Sequence, residues 1–233
     1  DQGGGDYGFL GNKVIRTPEL DAMYQRSAML SRFYVSPVCA PTRASLMTGR
    51  YNYRTRCIDT YVGRAMMDGD EITIAEILRD AGYRTGIYGK WHLGDNYPLR
   101  PLDQGFQDCL VHRGGGIGQP SDPIGAEGKY TDPTLFKNGV ETPMQGYCTD
   151  IYFDAAMKFI ESSVTENENF FTYIATNAPN GPFHDVPEEL YQQYLKVDFR
   201  PILINKNIQP QRLKTETDKL ARIAAMITNI DEN

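Results

Sequence analysis

The segment Val38-Cys39-Ala40-Pro41-Thr42-Arg43-Ala44-Ser45-Leu46-Met47-Thr48-Gly49-Arg50 brings a thiol, a guanidinium and a helix start close together. Pro41 suits the first turn of a helix running through Met47, and Gly49 suits its stop. Cys39 then lies just before a helix N-terminus, where unpaired N–H groups stabilise an anion and depress a thiol pKa. Arg43 adds a fixed positive charge about one turn on. A lone cysteine in such a place is more often structural, so the segment gains meaning only from others like it. One is Gly89-Lys90-Trp91-His92-Leu93-Gly94, which pairs an ammonium with an imidazole. Another is Asn177-Ala178-Pro179-Asn180-Gly181-Pro182, followed by His184.

These clusters need elements to position them. Thr17-Pro18-Glu19 reads as a cap, a first-turn proline and an early acid, opening a helix through about Ala28. Met29 to Val35 is a plausible strand. Thr73 and Glu76 form a capping box before a helix whose Ile74, Ile77, Leu78 and Ala81 make one apolar stripe, ended by Gly82. Tyr83 to Tyr88 reads as a strand, Asp150 to Ser163 as an amphipathic helix and Phe170 to Ala175 as a buried strand. Leu213 to Ile230 is a last helix, with Leu220, Ile223, Ile227 and Ile230 on one face. Helices alternating with short apolar strands predict an α/β sandwich around a mostly parallel central sheet. The exception is Leu135 to Glu141, where Asn138-Gly139 marks a tight hairpin.

Between His112 and Asp132 runs a Gly/Pro-rich stretch, GGGIGQPSDPIGAEG, which reads as a loop over a binding site. It lacks the strand–glycine–helix frame of a phosphate or dinucleotide loop. His112 and Arg113 lead it and are candidates to reach a substrate. Ligands of such sheets sit beyond the carboxyl ends of the strands. Ser36 to Arg43, Gly89 to Gly94 and Asn177 to His184 all fall there.

The 233 residues are 40% hydrophobic, with a net charge of -6 and a mean hydropathy of -0.48. No basic run suggests a nucleic-acid partner, and no apolar stretch reaches membrane-spanning length. The chain opens on Asp1 rather than Met, so its start reads as processed or cut. Cys39, Cys57, Cys109 and Cys148 form no CxxC pair; one disulfide is possible.

Cys39-Ala40-Pro41-Thr42-Arg43, continued by Thr48-Gly49-Arg50, resembles the sulfatase signature. Gly89-Lys90-Trp91-His92-Leu93-Gly94 resembles that family's second motif. The likeness extends to Asp1-Gln2-Gly3-Gly4-Gly5-Asp6 and to Asn177-Ala178-Pro179. It implies an alkaline phosphatase/sulfatase-like α/β fold, with residues 1–233 forming the N-terminal part of the catalytic domain, incomplete at both ends. It also implies sulfate-ester hydrolysis by a formylglycine made from Cys39, with a hard divalent cation, Ca2+ or Mg2+, polarising the sulfate. Cys39 would be the precursor and, once converted, a metal ligand; Asp1 would be another metal ligand. Arg43 would hold the hydrated aldehyde, Lys90 would bind sulfate, and His92 would serve the hydrate as hydrogen-bond partner or base. The implied partners are a sulfated small molecule or glycan and a formylglycine-generating or sulfatase-maturating enzyme. The implied setting is periplasmic, secreted or lysosomal.

Two departures stand out. The family's first paired aspartate would precede Asp1, and its Asp-Asn metal pair and second lysine would follow Asn233, so the chain is expected to be an inactive fragment on its own. Asn180 stands where the family commonly has a sulfate-binding His; Asn donates a hydrogen bond but cannot act as an acid, and His184 is a candidate to compensate. The competing readings are a phosphonate or phosphate monoester hydrolase of the same superfamily, and a non-catalytic homologue.

Overall fold

Five short runs form strands in the computed structural model, which describes residues 2–61, 63–203 and 208–233. The strands are β1 (Arg84–Lys90), β2 (Asp108–His112), β3 (Thr134–Lys137), β4 (Val140–Pro143) and β5 (Phe170–Ala175). They form one sheet in the order β4-β3-β2-β1-β5. β1 runs parallel to both β2 and β5, with Lys90 opposite His112 and Gly89 opposite Ala175. β3 and β4 are antiparallel additions at the edge. The sheet is therefore mixed, with its parallel part confined to β2, β1 and β5. Asn138 and Gly139 join β3 to β4 with φ of 48° and 86°, the two left-handed residues that a tight two-residue hairpin demands.

Among the described residues, six α-helices accompany the sheet: α1 (Pro18–Tyr24), α2 (Cys39–Thr48), α3 (Ile74–Asp80), α4 (Cys148–Thr165), α5 (Glu188–Tyr194) and α6 (Pro210–Glu232). Two compact units result. One spans Tyr34–Asn177 and holds the sheet with α2, α3 and α4; the other combines Asp1–Phe33 with Ala178–Asn233 and holds α1, α5 and α6.

In the sheet unit, α2 places Ala40, Ala44 and Met47 on one face at helical spacing, all at most 2% exposed. They join Ile87, Trp91, Leu93, Phe106, Cys109, Val111 and Phe136 in the core. Each large side chain buried there contributes about 1.5–3 kcal/mol relative to exposure. Small residues at 40 and 44 let the helix axis approach the core closely, which fixes where its first residue, Cys39, stands. α4 covers the opposite side of β1, with Phe159 against Tyr88 at 5.9 Å between ring centres. β1 is thus buried on both faces.

In the other unit, α1 has no cap from its own Thr17. Asp231 of α6 supplies it instead, accepting from Leu20 N at 2.8 Å and Glu19 N at 3.2 Å. Tyr194 of α5 shares a 2.6 Å hydroxyl hydrogen bond with Thr228 of α6 and accepts from Arg16 N at 2.9 Å.

Several sequence expectations change here. Met29 to Val35 is not a strand: it pairs with nothing among the described residues, and Leu30, Phe33, Tyr34 and Val35 are 61% to 87% exposed. Apolar β-formers make a strand only where a ladder partner exists. α1 ends at Tyr24 rather than near Ala28. α3 does have its capping box, with Thr73 N donating to Glu76 at 2.9 Å and Glu76 N to Thr73 Oγ1 at 3.2 Å. Its expected stripe does not face inward, however. Ala75 is fully buried, while Ile74 and Ile77 are 39% and 58% exposed. The helix is drawn in at its first turn, where Gly105 leaves no side chain between: a Cβ there would stand 2.3 Å from Glu76 N. All four cysteines are free thiols.

Candidate active site

Cys39 is the first residue of α2, after an extended Val38 with φ −131° and ψ 159°. The chain turns into the helix there, so the half-buried thiol sits beside the first unpaired N–H groups. Its Sγ is 3.3 Å from His92 Nδ1. The far ring nitrogen, Nε2, is 3.0 Å from the carbonyl of Thr60. A carbonyl only accepts, so Nε2 carries the proton and Nδ1 is left to take one from the thiol.

His92 adopts a left-handed backbone with φ 61°, which turns its ring back toward α2. The strand end preceding it is equally constrained. Gly89 has φ 127°, and a Cβ on it would stand 2.1 Å from the carbonyl oxygen of Ala175 on β5. Only glycine lets β1 keep its place beside β5 while bending into Lys90-Trp91-His92. Trp91 anchors the bend: it is buried edge-on against Phe106 and donates Nε1–H to Leu99 O at 2.8 Å.

Lys90 is 3% exposed. Burial lowers its pKa, and Arg43 lowers it further, while the neighbouring Cys39 opposes both. Arg43 Nη1 donates to the carbonyl of Lys90 at 2.6 Å, tying the second turn of α2 to the end of β1. Burial alone would raise the Cys39 thiol. The hydrogen bond with His92 and the charge of Lys90 outweigh it and bring the pKa down to about 6. Buried Lys90 and partly buried Arg43 and Cys39 make a compact site for an anion.

Arg50, the last residue of the Thr48-Gly49-Arg50 run, grips buried Glu71 with both carboxylate oxygens at 2.7 Å. Its work is to hold the end of α2, where Gly49 has φ 66°. A cavity of about 350 Å³ opens on the His92 side, lined by Tyr61, Met66, Asp95, Asn96, Gln119 and Ser121 among others.

Cys39, Arg43, Lys90 and His92 are thus gathered in one place. His112 is buried and held at both ring nitrogens, by Asp122 and Asn177. Asn180 is partly buried and His184 exposed, both in the unit that holds α5 and α6. Asp1 lies outside the described residues. Among those described, no group of three or more His, Cys, Asp or Glu side chains could hold a metal. The described surroundings of Cys39 are cationic and fit an anion, not a divalent cation. Sequence reasoning missed Thr60, whose contribution is a main-chain carbonyl with no sequence mark.

The sulfatase family model matches residues 1–233. This chain belongs to the sulfatase family. The N-acetylgalactosamine-6-sulfatase of Canis lupus familiaris is 30% identical over a 207-residue alignment that covers 79% of this chain and 39% of that enzyme. The arylsulfatase of Klebsiella aerogenes is 31% identical over a 195-residue alignment that covers 77% of this chain and 41% of that enzyme. The crystal structure of Ps i-CgsB superposes with a TM-score of 0.78 at 28% identity, covering all of this chain and 51% of that one. This sulfatase chain therefore spans well under half the length of the curated relatives it matches. None of its described helices is long and apolar enough to cross a membrane.

Proposed function

We propose that this chain carries the nucleophile and part of the anion site of a sulfate-ester hydrolase, with Cys39 as the precursor of formylglycine. The observation that carries the reading is the 3.3 Å contact of Cys39 with His92 Nδ1 at a helix N-terminus, beside the buried Lys90. The environment fits the modified side chain: hydroxyls in place of the thiol would meet an imidazole nitrogen and an ammonium. Formylglycine would supply two hydroxyls on one carbon, one to attack sulfur and displace the alcohol, the other to lose its proton and expel sulfate as the aldehyde returns.

The chain's own residues would do the rest. Lys90 neutralises sulfate oxygens from a dry position, where a charge acts more strongly than in water. Arg43 fixes Lys90 by its main chain and supplies a second positive charge. His92 holds or removes a proton at Nδ1, its orientation set by Thr60. The cavity beside His92 suits a polar alcohol such as a sugar, because amide, carboxylate and hydroxyl groups line it together with Tyr61. A divalent cation held by Asp1 and converted Cys39 belongs to the same reading, although the described residues bring together no group of three or more His, Cys, Asp or Glu to hold it. Asn180 would donate a hydrogen bond to sulfate. The maturation partner would be a formylglycine-generating or sulfatase-maturating enzyme, and the setting periplasmic, secreted or lysosomal.

The test is the mass of the tryptic peptide Phe33 to Arg43 from the complete protein, made with a maturating enzyme. Loss of sulfur and two hydrogens with gain of one oxygen at Cys39 supports the reading; an intact thiol removes it. Relative turnover of aryl sulfate and aryl phosphate separates it from a phosphate or phosphonate hydrolase.

A further inference from the structure

A second buried constellation lies at the end of β2 and has no part in the chemistry above. His112, the last residue of β2, is 2% exposed. Its Nε2 is 2.5 Å from Asp122 Oδ1, and its Nδ1 is 3.3 Å from Asn177 Nδ2. Asn177 Oδ1 in turn accepts from the Tyr152 hydroxyl at 3.0 Å. These contacts have one consistent polarity. Tyr152 donates to the amide oxygen, so the amide nitrogen faces the imidazole and Nδ1 accepts from it. Nε2 then carries the ring proton and donates it to the Asp122 carboxylate.

The second oxygen of Asp122 accepts from Gly118 N at 2.7 Å. One carboxylate therefore closes the glycine-rich loop onto its own beginning. That loop leaves the sheet alongside the active-site turn: Trp91 N donates to His112 O at 3.0 Å, and His92 N donates to Arg113 O at 2.8 Å. Within it, a Cβ on Gly115 would stand 2.7 Å from His92 Cε1 and 2.8 Å from Nε2. A Cβ on Gly114 would overlap Ser121 Oγ, next door to Asp122. Bare main chain at 114 and 115 thus lies between the folded-back end of the loop and the His92 ring.

We propose that His112 and Asp122 form a latch that positions His92 against Cys39, acting through the main chain of Gly114 and Gly115. They are positioning residues and touch neither Cys39 nor the space around it. The importance of the latch for turnover rests on the role proposed for His92, but its geometric claim does not.

The chain has three histidines, so ring 15N–1H spectra of the full chain with Cys39 unconverted can follow each one. Asp122→Asn is expected to change the His112 ring signals and to shift or broaden those of His92, leaving exposed His184 unmoved. Gly115→Ala bypasses the latch and is expected to shift His92 while His112 keeps its tautomer; it also serves if Asp122→Asn does not fold. Folded Asp122→Asn with wild-type His92 signals overturns the proposal, and so does Gly115→Ala that leaves them in place. An unconverted Cys39 in the maturation experiment would sink the sulfatase reading without moving any of these resonances, so the two failures are distinguishable.

Discussion

Replacing His92 by Asn tests the heart of the site with little backbone cost, since Asn tolerates the left-handed φ of 61° at this position. With a pKa of about 6, the unconverted Cys39 thiol is mostly thiolate at neutral pH. An ordinary thiol of pKa near 8.5 would be only a few per cent ionised, at about 3%. Rate at a single pH is nevertheless a poor readout. A thiolate loses intrinsic nucleophilicity as its pKa falls, with a Brønsted slope of about 0.4–0.5, so most of the gain in thiolate is cancelled. The midpoint of the rate–pH profile has no such cancellation. A hydrogen bond to a charged group contributes about 1.5–3 kcal/mol, equivalent to roughly one to two pKa units. Cys39 is only half-buried, so solvent screening favours the lower end. Iodoacetamide alkylation of Cys39, followed by peptide mass across pH 4 to 10, is expected to give a midpoint about 1 unit higher in His92→Asn than in wild type. A wild-type midpoint in the ordinary thiol range, or a variant midpoint that does not rise, would refute the account of how the site poises its nucleophile.

Because the folded-state pKa of Cys39 is depressed, its stabilising contribution is complete above the unfolded thiol pKa and is lost as pH falls toward 6. The melting temperature of wild type relative to Cys39→Ser should therefore climb from pH 6 to pH 9; a flat difference would count against the shift. Arg43→Lys removes the 2.6 Å guanidinium bond to the Lys90 carbonyl, and a charge-assisted bond of about 1.5–3 kcal/mol translates to a roughly 10- to 150-fold fall in kcat/KM. Steady-state turnover of an aryl sulfate by the matured complete protein measures it, and wild-type turnover would contradict the proposed role. Gly89→Ala drives a methyl into the Ala175 carbonyl and should destabilise the chain by about 3 kcal/mol or more in urea unfolding.

The chemistry-bearing residues were legible because their constraints are local. A proline in the first turn and a glycine after the last fix the frame of α2, and with it the place of Cys39 at the helix start. The capping box at Thr73 and Glu76 and the Asn138-Gly139 turn were equally local and stand as expected. What sequence could not supply were properties of neighbours. β-Propensity over Met29 to Val35 meets no ladder. The α3 stripe loses to the close approach permitted by Gly105, a residue far along the chain. His112 read as a candidate to reach a substrate from the head of the loop, and the partners that hold it, Asp122 and Asn177, ten and sixty-five residues away, were not readable. A mostly parallel sheet was readable from the runs that became β1 and β5, whereas β2 at Asp108–His112 was not singled out and the hairpin turned the far edge antiparallel.

The four thiols are not equivalent, and the difference governs what oxidants can do to this protein. An acidic thiol in an oxidising compartment commonly passes through a sulfenic acid and is trapped as a disulfide by a neighbouring thiolate. Cys57 is close enough for the Cys39 charge to raise its pKa, yet burial pushes it up to about 12 and its Sγ donates to the Ala65 carbonyl at 3.4 Å. Burial raises Cys109 as well. The fold thus ionises Cys39 while holding Cys57, the thiol close enough to feel its charge, protonated, so Cys57 is not a ready resolving thiolate for an oxidised Cys39.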